Sequence, residues 1–233
     1  DDAQANLEEQ TRSLESFRKT FGGALDIVFD GALSANGESA YDQLQKVDHS
    51  SWIEMRGLIR NSALKSELPV VFCYPKNWNG KTVVWLTGQG KSSLYFSDGA
   101  LKPEPKRLVD SGATVVGVDL LHHGEFLPDG KPLARAPKVK NPREAAAYSF
   151  GYNNTIFVQR VHDVLSVVKY IRSHERKSKT VALLGLDGAG PIAAAARALA
   201  REEVDVAAID TGGFRFGGVK DIYSPDQIGR AHV

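Results

Sequence analysis

Two spacings of apolar residues divide this chain. Near its start, Leu7, Leu14, Phe17 and Phe21 recur at helical intervals in a polar stretch, which predicts an amphipathic helix over residues 5–22. Trp52 to Ile59 alternate in part and predict a strand. Short apolar runs follow, each closed by turn residues: Pro69–Tyr74, Thr82–Leu86, Ala113–Leu121, Thr180–Leu186 and Val204–Ile209. The later runs carry Val, Ile, Leu and Ala on both parities, as strands do when both faces of a parallel sheet are covered. Helical spacing lies between them. Pro105–Ser111 is a short segment with Pro105 where a helix can start, and Pro191–Arg201 is a second. Thr155–His174 carries one stripe of Phe157, Val161, Val164, Leu165, Val168 and Ile171. Alternating strands and helices predict an α/β fold with a mostly parallel central sheet flanked by helices.

The stretch Glu125–Tyr152 holds Pro128, Pro132, Pro137 and Pro142 and predicts an irregular excursion above the sheet. Residues 1–45 are expected to be a helical extension and 46–226 the α/β domain. The chain opens on Asp1-Asp2-Ala3 with no methionine, so it is expected to begin after processing or partway through a longer protein. Residues 227–233 are expected to be a non-native tail, because Ile228–Val233 reads like a translated sequencing adaptor. His232 is set aside with them. The domain is expected to be incomplete at its C-terminal end.

The bulk composition narrows the function classes. Of 233 residues, 42% are hydrophobic and 24% charged, an ordinary globular balance. The formal net charge of +1 gives no reason to expect a nucleic-acid or anionic-membrane partner. No apolar stretch approaches the length of a membrane span. Cys73 is the one cysteine and reads as a small buried hydrophobe; no internal disulfide and no metal site is expected from it.

Chemistry is concentrated at residues 181–191, Val-Ala-Leu-Leu-Gly-Leu-Asp-Gly-Ala-Gly-Pro. A buried strand, a tight turn of small residues and an alanine-rich helix are the setting of a nucleophile elbow, Gly-x-Ser-x-Gly. Here the pattern is Gly185-x-Asp187-x-Ala189, with Gly190 next. Small residues are required because a Cβ there would collide with the neighbouring strand or helix.

From residue 69 to 216 the order and texture of these segments resemble the α/β-hydrolase superfamily, in its acetyl xylan esterase and dienelactone-hydrolase-like branch. Residues 83–90, Val-Val-Trp-Leu-Thr-Gly-Gln-Gly, resemble that family's third strand and oxyanion loop. Residues 115–125 resemble its fourth strand and an Asp-x-x-Gly-like loop, and Arg160 to Leu165 resemble the helix leading into the elbow strand. The resemblance implies hydrolysis of an acylated carbohydrate or similar small ester, with no cofactor and no metal. It implies an oxyanion hole from the N–H groups of Gln89 and Gly188, and Asp210 as the acid of a triad whose histidine lies beyond these residues. It also implies a secreted or periplasmic setting; a covalently linked additional domain is expected on the reading of a non-catalytic module. His122 and His123, just after a predicted strand, could line the pocket; loop histidines bonded to backbone are the alternative.

Asp187 departs from the pattern. A carboxylate beside an oxyanion hole repels the developing oxyanion, and its attack on an ester would yield an anhydride. Three readings stay open: a degenerate elbow in a non-catalytic module of a larger protein, a nucleophile acting at saturated carbon, and a helix cap. The same residues also fit a dinucleotide-binding fingerprint, Gly188-x-Gly190-x-x-Ala193 with Asp210 closing the next strand. Lys91-Ser92-Ser93 lacks the spacing of a phosphate loop, and Ser92 or Ser93 is a minor candidate for a displaced nucleophile. His162 and His174 read as structural, and Trp52, Trp78 and Trp85 as packing.

Overall fold

A computed structural model describes residues 12–30, 38–130 and 154–215, together with 5, 8, 9 and 218. Helix α1 spans Leu14–Val28. Three strands follow, β1 (Ser39–Asp48), β2 (Trp52–Asn61) and β3 (Ser66–Pro75), then β4 (Lys81–Leu86). Helix α2 (Pro103–Asp110) leads to β5 (Thr114–Val118). Helix α3 (Ile156–Ser173), β6 (Thr180–Gly185), α4 (Gly190–Ala200) and β7 (Val206–Ile209) complete the order. The seven strands form one sheet in the order β1-β2-β3-β5-β4-β6-β7. β1, β2, β3 and β5 pair antiparallel, whereas β5, β4, β6 and β7 are parallel. The sheet is therefore mixed, and its parallel half carries the candidate site.

The filled parities have the expected cause. In β3, Val70 and Phe72 face the core under α3 and α4, while Val71 and Cys73 face a second core under α2. Val84 and Trp85 of β4, and Val116 and Val115 of β5, divide the same way. With both faces covered, every position wants an apolar residue. Helix α3 starts where Thr155 caps it, its hydroxyl accepting the Val158 N–H at 3.3 Å. Its expected stripe is wholly buried, but so are Arg160, His162, Asp163 and Ser166, so the helix is enclosed on more than one face.

Several boundaries differ from expectation. The edge of the helical extension, set at residue 45, falls inside β1, which joins the sheet. β1 is an edge strand exposed at most positions, so its side chains lack the alternation that betrays a strand. Within the first helix, Leu14 and Phe17 are largely exposed. α2 begins at Pro103, two residues before Pro105. β7 was expected to be buried on both faces; it is the sheet edge among the described residues, and Val206 is 56% exposed. The irregular stretch over 125–152 lies mostly outside the described residues, as does the tail at 227–233; its first residues close a single 3₁₀ turn, Gly124–Phe126.

Candidate active site

Loops leave the C-terminal ends of β4 and β6 in opposite directions, toward β5 on one side and β7 on the other. That divergence is the switch point at which open α/β sheets form their crevices. Gln89 lies just past β4 and Asp187 just past β6, so the two expected site loops meet there. Leu186 donates its N–H to the Leu86 carbonyl at 3.0 Å, and Gly88 donates to the Asp187 carbonyl at 2.9 Å. A Cβ on Gly88 would lie 2.7 Å from that Asp187 oxygen, which explains glycine in the loop.

The turn after β6 is sharp. Asp187 adopts φ 45° and Gly188 φ 84°, Ala189 donates to the Leu186 carbonyl at 2.9 Å, and α4 starts at Gly190. Left-handed backbone suits Asp better than most residues with a side chain, so little strain is stored. The Asp187 side chain is exposed at the tip, not enclosed by apolar neighbours. A Cβ on Gly185 would strike the Ala193 side chain, and one on Gly190 would strike the Asp210 carbonyl. The glycine spacing is thus fixed by close approach of α4 to β6 and of the turn to the segment after β7.

The other expected residues take varied positions. Gln89 is exposed and donates its N–H to the Thr87 hydroxyl at 3.2 Å, so this amide already has a partner. Gly188 is exposed at the head of the turn. Asp210 is exposed one strand over, its carboxylate accepting the Gly212 N–H at 2.8 Å in a tight turn. Ser92 and Ser93 donate to the carbonyls of Gln89 and Gly90 at 2.8 and 2.7 Å, which commits both to closing the 3₁₀ turn Gly90–Leu94. His162 is buried, its Nε2 2.7 Å from the Phe29 carbonyl, and His174 ends α3.

His122 and His123 are half-buried past β5, His122 at φ 61°. Burial, then the nearby Arg160 charge, lowers the pKa of both, His123 to about 3. The His123 imidazole is therefore held neutral, and His122 is shifted the same way. Arg160 donates to the Leu121 carbonyl at 2.8 Å, and the wholly buried Asp163 accepts the Leu121 N–H at 2.9 Å. Burial pushes the Asp163 carboxyl up to about 7 despite that hydrogen bond and Arg160. Arg160 and Asp163 thus brace the histidine loop from α3. The signal for them was present in the sequence: two charges in the middle of a long apolar helix.

Asp119 has a larger role than expected. It is 1% exposed and accepts the Lys91 N–H at 2.8 Å, the Glu125 N–H at 3.0 Å and the Lys91 ammonium. Lys91 also pairs with Glu125 at 2.7 Å. One buried carboxylate thereby ties the loop after β4 to the loop after β5. A side chain on Gly90 or Gly124 would run into it. Among the described residues, no group of three or more His, Cys, Asp or Glu side chains is placed to hold a metal ion.

The sheet order and the strand–turn–helix at its switch point are those of an α/β-hydrolase fold. Comparison with solved structures agrees. A Bacteroides fragilis protein assigned as an acetyl xylan esterase matches with a TM-score of 0.62 at 10% identity, over 85% of this chain and 54% of that one. The acetyl xylan esterase of Paenibacillus sp. R4 matches with a TM-score of 0.51 at 15% identity, over 85% of this chain and 59% of that one. A methylesterase matches with a TM-score of 0.57 at 13% identity, over 89% of this chain and 45% of that one. The chain spans about half the length of these neighbours. No protein-family model and no curated protein matches the sequence.

Proposed function

We propose that this chain is an esterase-type α/β-hydrolase domain that recognises a small carboxylic ester, such as an acylated carbohydrate. We further propose that Asp187, in place of a hydroxyl nucleophile, leaves it without serine-type turnover. The observation that carries this reading is Asp187 itself, exposed at φ 45° on the turn between β6 and α4, beside the loop that bears Gln89. The position and backbone shape fit the setting of a nucleophile elbow; a carboxylate in it does not suit serine-type acyl transfer. A carboxylate there opposes the charge that an acyl-transfer transition state must develop. The described histidines nearest this edge, His122 and His123, sit after β5 beside a buried arginine, an environment that favours neutral rings over imidazolium. The domain then binds substrate as a module of a larger protein.

The test is release of p-nitrophenolate from p-nitrophenyl acetate by the chain, with Asp187→Ala in parallel. We expect no saturable turnover above buffer from either. Saturable turnover that disappears in Asp187→Ala would show a working nucleophile and overturn the non-catalytic reading. A titration with NAD(H), NADP(H) and FAD addresses the fingerprint at Gly188 and Gly190. Tight binding of any of them would replace the ester reading altogether.

A further inference from the structure

A cavity of about 480 Å³ opens at the opposite end of the parallel strands from Asp187. Thr82 and Thr114, at the starts of β4 and β5, lie at its base, and the C-terminal end of α3 forms one wall. Its size falls within the ordinary range for small-molecule sites. Tyr41, Phe72 and Tyr170 form a connected aromatic wall, with ring centroids 5.2 Å apart for Tyr41–Phe72 and 5.9 Å for Phe72–Tyr170. Tyr74 and Trp78, 5.8 Å apart, form another. Gly57 makes room for the Tyr41 ring, since a Cβ there would sit 2.7 Å from it.

Two hydroxyls in this lining, Tyr41 Oη and Thr114 Oγ1, are buried with no hydrogen-bond partner among the described residues. Buried hydroxyls of that kind are costly unless something bonds to them. The remaining inner pair, Thr82 and Ser178, is already satisfied by a mutual bond of 2.8 Å. A planar ring with one polar substituent at its inner end fits the supply. At the lining's charged positions Lys46 and Arg176 outnumber Glu175, which favours an anionic group there.

We propose that this cavity is a binding site for a small hydroxylated aromatic carboxylate. Its ring stacks against the Tyr41–Phe72–Tyr170 wall, its hydroxyl meets Tyr41 and Thr114, and its carboxylate reaches Lys46 and Arg176. Isothermal titration calorimetry with 4-hydroxyphenylpropionate tests this. We expect saturable binding at one site per chain, weakened about 10-fold by Tyr41→Phe or Thr114→Val through loss of a hydrogen bond. Neither variant should lower the melting temperature of the free protein, because each removes a hydroxyl that lacks a partner. Phenylpropionate, without the hydroxyl, should bind the wild type about as weakly as 4-hydroxyphenylpropionate binds Tyr41→Phe. Lys46→Gln should weaken binding and flatten its salt dependence. The proposal is overturned by no saturable binding up to about 10 mM, by affinity unchanged in both hydroxyl variants, or by equal binding of xylose. Asp187→Ala lies at the other end of the sheet and should leave this binding unchanged, which separates it from ester recognition at the elbow.

Discussion

Replacing Asp119 by Asn changes one atom and should unpin both loops beside Asp187. Asp119 is 1% exposed and the Lys91 side chain 11%, so their charges face each other out of water. Glu125 also pairs with Lys91 but is 64% exposed on its side chain, so solvent screens it and it compensates only in part. The asparagine oxygen can serve either the Lys91 or the Glu125 N–H. Its amide hydrogens then point either at the Lys91 N–H or at the Glu125 N–H together with the ammonium. Leaving one member of a buried pair without its partner costs roughly 3–5 kcal/mol. In a chain of this size that corresponds to a fall in melting temperature of about 10 °C. Denaturant unfolding of Asp119→Asn, Lys91→Met and the double variant isolates the pair. We expect a coupling energy above about 1.5 kcal/mol, with faster amide exchange at Lys91 and Glu125 in the single Asp119 variant. A melting temperature within about 2 °C of wild type, or a coupling near zero, would refute the claim that this ion pair fixes the loops.

Two further outcomes follow from the same geometry. Gly190→Ala forces a methyl into the Asp210 carbonyl and should cost roughly 2–3 kcal/mol. Gly188→Ala, with open space around it but φ 84°, should cost only about 1 kcal/mol of backbone strain; urea midpoints that rank the two the other way would contradict this packing. Asp163 concerns pH. Its carboxyl rises from 3.8 to about 7 on folding, so its neutral form contributes stability that is complete below pH 4 and is lost as pH rises toward 7. Asp163→Asn mimics the neutral form and still offers an oxygen to the Leu121 N–H. Its stability relative to wild type should therefore grow by roughly 2–4 kcal/mol between pH 4 and pH 8. Parallel pH profiles for the two proteins would show that Asp163 is not titrating there.

Local patterns carried the fold where burial was complete and failed where it was partial. The run Thr180–Leu186, its turn and the alanine helix were legible because β6 and α4 are enclosed, and enclosure leaves few residue types allowed. The spacing of Gly185 and Gly190 announced close backbone approach, and both glycines make it. β1 was missed because an exposed edge strand puts polar side chains at most positions, so its pairing with β2 is written only in backbone hydrogen bonds. The roles of Lys91 and Asp119 were missed for a different reason. They lie 28 residues apart in sequence, and only the side-by-side pairing of β4 and β5 brings them together. Arg160 and Asp163 were visible as charges within an apolar helix, but their target, the Leu121 peptide, is 39 and 42 residues away.

The turn at Asp187 also shows how the proposed loss of chemistry is compatible with an intact fold. Everything the turn demands of the fold is met by neighbours: Gly185 and Gly190 for close approach, Ala193 for helix packing, the Gly88–Asp187 backbone bond for loop docking. The side chain at position 187 is exposed, so the main demand of the fold on it is a left-handed backbone. Asp meets that demand at least as readily as a hydroxyl residue. Stability is therefore nearly blind to the identity of this one group, whereas acyl transfer depends on it almost entirely. Selection on folding alone would keep the glycines and let the nucleophile drift. On the proposed non-catalytic reading, that is the pattern expected at Gly185, Asp187 and Gly190.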